Sequence, residues 1–147
     1  MALSIKEIQD YVYENKSLVL GTVCPGGRPH LRHIGAYTID GKDIYFNTTK
    51  GSTKTEDIAA QPRVALLFQH EGQQSLKNIT FYGDASPLEG QDASNAAELI
   101  KKRRPQLQYN EETNVIYKVD VDRIKILDFS AEEKQVVLEK EDIEKAL

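Results

Sequence analysis

The sequence predicts a mainly β domain with inserted helices, six or seven antiparallel strands curled into a small barrel. Short β-branched and apolar runs recur along it, separated by turn signals such as "PGG" and "IDGKD". The helical patterns are few and stand between these runs, without the strand and helix alternation that builds a doubly wound parallel sheet. No repeat, low-complexity tract or linker divides the 147 residues, so residues 1–147 read as a single domain.

The elements follow in order. Ser4, Ile5, Lys6, Glu7 has the form of a capping box, and Ile5, Ile8 and Val12 recur at helical spacing, which predicts an amphipathic helix to about Glu14 lying across an opening in the core. "SLVLGTVC" and "RPHLRHIGAYTI" form a hairpin around "PGG", and "IDGKD" turns the chain into "IYFNT". Thr53, Lys54, Thr55, Glu56 offers a second capping box for a helix that Pro62 ends. "RVALLFQH" and "LKNITFYGDASPL" are strands flanking a loop at "EGQQS". A helix over about Asp92 to Arg104 precedes two further strands, "VIYKVDV" and "RIKILDF", and the acidic tail adds a short strand at "QVVLE" and a frayed helix.

Composition bounds the function classes. With 39% hydrophobic and 29% charged residues the chain is an ordinary globular mixture. Cys24 is the only cysteine, so an intramolecular disulfide and a thiolate-rich zinc site are excluded. A formal charge of -4 opposes general nucleic-acid binding. No apolar run reaches the roughly 20 residues of a membrane span, and "MALSIKEIQD" lacks a signal-peptide pattern, so a cytoplasmic protein off the membrane is expected.

The residues that could carry chemistry gather at the junction "NTTKGSTK". It combines the N-H groups of a helix start, the hydroxyls of Thr48, Ser52 and Thr53, and a lysine at position 50 or 54, which are the parts of a phosphate cradle. The spacing is not that of a Walker A loop. Lys54 opposes the dipole of the helix it begins, and an anionic ligand would relieve that. Arg28, His30 and Arg32 alternate along the preceding strand and share a face, and a guanidinium suits phosphate. A plain helix cap with solvated lysines is the competing reading of the junction.

In this order, "GGRPHLRHIGAY", "DGKDIYFNT", "GSTKTEDIAAQPRVALLF" and "NITFYGDA" resemble the flavin-binding split barrels related to pyridoxamine 5'-phosphate oxidase, closely over Leu18 to Leu88 and loosely beyond. The resemblance implies a split barrel that forms a homodimer with FMN at the subunit interface and acts as an oxidoreductase on a small molecule, its electrons coming from a nicotinamide or another donor. It places Arg32, His33, Ile34 and Tyr37 on the flavin strand, with Arg32 near the phosphate. Asn47 and Thr48 follow, then Ser52, Thr53 and Lys54 around the phosphate, and Asn78 near the polar edge of the flavin. Tyr37 stands where the oxidase has a lysine and Thr53 where it has an arginine. Its substrate-binding tyrosine falls at Ile100, Arg104 with Pro105 matches the following arginine, and its tryptophan segment is missing. These departures point away from the vitamin-forming oxidase and toward another substrate, with Tyr37 and Arg104 as substrate contacts and no general acid or base assigned.

Two alternatives accompany this reading: a non-catalytic flavin-binding or electron-carrier protein, and a haem-binding relative with His33 or His70 as axial ligand. The two histidines lack the short spacing of a metal pair, so no metal site is expected. "KKRR" at Lys101 to Arg104 reads as a solvated helix end, and Val136, Val137 and Leu138 of the tail as a segment that docks on the barrel or on a partner subunit.

Overall fold

A computed structural model describes residues 4–70, 72 and 76–147. Four helices accompany the strands: α1 (Ile5–Glu14), α2 (Thr53–Ala60), α3 (Gly90–Arg103) and α4 (Lys140–Ala146). The strands are β1 (Leu18–Val23), β2 (Pro29–Ile34), β3 (Tyr37–Asp40), β4 (Asp43–Thr49), β5 (Arg63–Phe68), β6 (Lys77–Pro87), β7 (Asn114–Asp128) and β8 (Gln135–Glu139). Apart from Gly72, the loop expected at "EGQQS" lies outside the described residues.

Every strand pairing is antiparallel, in the order β2-β1-β5-β6-β7-β4-β3, with β8 added to β7. β2 and β3 are neighbours in sequence yet lie at opposite ends of this order. Only Gly35 and Ala36 separate them, so the sheet must curl until its two ends meet, and that curl is the split barrel. The expected single strand "RPHLRHIGAYTI" is therefore two. An intramolecular brace marks the crossing, where the Asn47 N-H donates to the Ala36 carbonyl at 2.9 Å.

The reverse correction applies to β7, which runs unbroken through "VIYKVDV" and "RIKILDF". Val121 faces Gly83 and Arg123 faces Tyr82, leaving Asp122 as the extra residue of a bulge. The one residue left between the two expected strands, Asp122, is that bulge residue. Gly83 permits it, because a Cβ there would lie 2.2 Å from the Asp120 carbonyl oxygen.

Alternate residues of the strands fill the interior, including Leu18, Leu20, Ile44, Phe46, Leu66, Phe68, Ile79 and Phe81. α1 covers this core with Ile8, Tyr11 and Val12, and its expected capping box forms between Ser4 and Glu7. A second cluster seats α3 on the outside of the sheet through Ala96, Ala97 and Ile100 against Ile116. The tail docks on its own barrel, β8 along the second half of β7 and α4 through the buried Ile143.

Candidate functional site

The junction between β4 and α2 turns at Gly51, whose φ of 75° suits glycine. Ser52 then takes the N-cap position with extended backbone, so the helix begins one residue before the place the Thr53-Glu56 capping box implied. That box does not form. No side chain caps the first turn, and the Ser52 Oγ is buried without a partner. A buried hydroxyl left unpaired beside the N-H groups of a helix start is an arrangement that an anion fits. Thr53 itself is exposed, whereas Lys54 is half-buried and makes no ion pair among the described residues. Burial, and then the charge of Arg32, lower the affinity of Lys54 for its proton. Two cations thus stand together at the start of α2.

β2 supplies the other half of the site. His30 and Arg32 share the face toward α2, whereas Arg28 lies exposed in the turn before the strand. Their anionic partner is internal. Asp57, 3% exposed on α2, accepts a hydrogen bond from the Thr22 hydroxyl at 2.8 Å and faces His30 Nδ1 at 2.8 Å through the same oxygen, Oδ2. Arg32 Nη2 lies 3.5 Å from that oxygen, and Arg32 Nη1 donates to Thr22 Oγ1 at 2.6 Å. Burial favours the neutral carboxyl, but the hydrogen bonds from Thr22 and His30 and the neighbouring positive charge outweigh it, and Asp57 is held below the usual carboxylate range.

The remaining expected residues scatter around this junction. Thr48 is buried in the sheet, and Asn47 carries a second buried oxygen, Oδ1, without a partner. Ile34 is core. Tyr37 is fully enclosed, its hydroxyl shared between the carbonyls of Val12 at 2.8 Å and Asn15 at 2.6 Å, and burial, opposed by Arg103, pushes its pKa up to about 12. His33 is exposed on the opposite face of β2 from Arg32 and, with His70, lines a cavity of about 550 Å³. His70 stacks on Tyr11 at 4.1 Å and its Nε2 meets the Tyr11 carbonyl at 2.9 Å. Asn78 is half-buried on β6, and Arg104 is exposed with its guanidinium packed on Gly35. Among the described residues no group of three or more His, Cys, Asp or Glu is placed to hold a metal ion, and no helix is long and apolar enough to cross a membrane.

Two residues escaped the sequence reading. Asp57 adjoins Ile58, the apolar side chain by which α2 meets the core, and a carboxylate there is the signal of a buried partner. Arg103 is no solvated helix end. It stacks on the Tyr37 ring at 3.7 Å and donates to the carbonyls of Tyr13 at 3.0 Å, Gly35 at 3.0 Å, Tyr37 at 3.2 Å, Lys16 at 3.4 Å, and Asn15. Its place three residues after Ile100 puts it on the buried face of α3.

Comparison with known proteins agrees with this architecture. Residues 4–128 match the family model described as pyridoxamine 5'-phosphate oxidase. The pyridoxine/pyridoxamine 5'-phosphate oxidase of Rubrobacter xylanophilus is 42% identical over 57 residues, which are 39% of this chain and 26% of that protein. The chain therefore matches about a quarter of the length of that curated relative. A Listeria innocua protein assigned as a pyridoxamine 5'-phosphate oxidase superposes with a TM-score of 0.69 at 25% identity, covering 84% of this chain and 97% of its own. A haem-binding protein from Mycobacterium smegmatis shares the fold with a TM-score of 0.76 at 14% identity, covering 97% of this chain and 61% of its own.

Proposed function

This chain belongs to the pyridoxamine 5'-phosphate oxidase family, and on that premise we propose that it is an FMN-binding oxidoreductase acting on a small molecule other than the vitamin-forming substrate. The observation that carries the proposal is the start of α2, where Lys54 pairs with no carboxylate among the described residues, Arg32 adds charge and the Ser52 hydroxyl is buried unpaired. These groups fit a phosphate. Arg32, Ser52 and Lys54 would hold it, and Asn47, with its unpaired buried oxygen, would accept a hydrogen bond from the bound cofactor.

FMN supplies two-electron redox chemistry when bound, while the protein supplies affinity, orientation and nearby charge. Tyr37 has its hydroxyl committed to two carbonyls, so it shapes the wall of the barrel, and Arg104 is the side chain open to an anionic substrate group. The outer face of β1, β2 and β5, half-buried on β1 and β5 and with Leu31 75% exposed beside Gly21, supports a homodimer with the flavin between subunits.

The test is flavin titration of the purified protein, read by quenching of flavin fluorescence. Arg32→Ala and Lys54→Ala should each weaken FMN by about 1.5 to 3 kcal/mol and leave riboflavin unchanged. Equal weakening of both ligands would refute the phosphate assignment. A second reading, haem binding, is favoured by the cavity with His33 and His70 on its wall and by the fold shared with a haem-binding protein. A Soret band on haem addition that is lost in His33→Ala would establish it. A flavin that no donor reduces and no acceptor reoxidises would instead mark a non-catalytic carrier.

A further inference from the structure

Asp57 is the one charged side chain that is fully buried among the described residues. Burying an ionised carboxylate is costly unless its partners are good, and a neutral side chain would seat α2 on the sheet more cheaply. The partners define a directed network. Thr22 has a single hydroxyl proton, given to Asp57, so its oxygen is free to accept from Arg32. The ionised Asp57 can only accept, so His30 presents Nδ1-H to it and turns its Nε2 away. Both terminal nitrogens of Arg32 are thereby anchored, one to Thr22 and the other toward Asp57 Oδ2.

Asp57 and Lys54 are three residues apart on α2 and share a face, so the network holds Arg32 against the turn that carries Lys54. Asp57 offsets one of these two positive charges. The other is left for a ligand.

We propose that Asp57 is a positioning residue, which fixes Arg32 through Thr22 so that Arg32 and Lys54 jointly receive an anionic group without Asp57 touching it. This rests on the FMN reading above. The sign of the effect is what distinguishes it: a carboxylate acting only by its charge repels a phosphate, so its removal would strengthen binding. A positioning carboxylate has the opposite consequence.

The experiment compares FMN and riboflavin affinities of the parent protein, Asp57→Asn and Thr22→Val, with circular dichroism establishing that each variant is folded. Thr22→Val keeps the side-chain shape and every charge while removing the bridging hydroxyl, so it tests the idea should Asp57→Asn fail to fold. The expected result is a loss of about tenfold or more for FMN in either variant, the scale of one charge-assisted hydrogen bond, with riboflavin unchanged. Tighter FMN binding, equal losses for both flavins or no change in a folded variant would overturn the positioning role. A parent protein that binds neither flavin would instead remove the FMN reading on which it rests.

Discussion

Replacing Arg103 by lysine tests whether a side chain at the end of α3 holds the seam of the barrel. The guanidinium makes five hydrogen bonds, three of them to part-buried carbonyl sites at Gly35, Tyr37 and Asn15 and two to exposed ones at Tyr13 and Lys16. Water replaces the exposed pair at little cost, whereas the three shielded bonds at typical net values contribute about 1.5 to 4.5 kcal/mol. Stacking on Tyr37 adds about 0.5 to 2 kcal/mol. Lysine retains the charge and one contact but not the planar fork. Arg103→Lys should therefore lower the unfolding free energy by about 2 to 4 kcal/mol, against less than about 0.5 kcal/mol for Lys102→Ala on the exposed side of the same helix. Urea denaturation followed by far-ultraviolet circular dichroism measures both, an unchanged m-value ensuring that the same surface is exposed. An Arg103→Lys protein as stable as Lys102→Ala would refute the clamp.

Further predictions concern the glycines, the enclosed phenol and the outer face. Gly83→Ala should cost about 3 kcal/mol or more or prevent folding, because its Cβ meets rigid backbone at Asp120, whereas Gly35→Ala displaces only the flexible end of Arg104, and thermal melts compare the two. Tyr37 titrates at about 12 in the fold against about 10 when unfolded, so its contribution is complete below pH 10 and is lost as pH rises toward 12, a change on the order of 2 to 3 kcal/mol. Tyr37→Phe should reduce that alkaline loss without abolishing it, since burial raises Tyr11, Tyr45, Tyr109 and Tyr117 in the same direction; urea unfolding at pH 9 and pH 11 reads the difference. For the proposed homodimer, light scattering should give a dimer mass for the parent and a monomer mass for Leu31→Glu; a parent of monomer mass would refute the dimer, and an unchanged dimer mass in the variant would refute a contact through Leu31.

Local signals survived the passage from sequence to structure, and long-range ones did not. The α1 capping box and the alternating strand faces depend on neighbours a few residues apart and were legible. β7 was split because a bulge residue such as Asp122 resembles a turn until its partner strand is known. Two of the residues proposed to hold a phosphate, Ser52 and Lys54, follow from a helix start that the sequence announces, although Ser52 rather than Thr53 takes the N-cap position. Asp57 and Arg103 went unread because the first needs Thr22 and His30 from another hairpin, and the second needs carbonyls from the α1 end and from the β2 to β3 crossing. Helical spacing from Ile100 puts Arg103 on the buried face of α3, but neither residue's partners can be read from its local sequence.

The place of β7 also governs how the chain is assembled during synthesis. β6 pairs with residues 117–128 of β7 and β4 with residues 114–119, so before β7 emerges the chain holds two sheets that no hydrogen-bonded strand joins, β2-β1-β5-β6 and β3-β4. Each presents an open edge of the kind that captures other strands. A chain whose emerged part ends just before Asn114 would therefore carry two adhesive edges and no barrel. Vectorial folding of this protein reduces to the interval in which one late strand is awaited by two early ones.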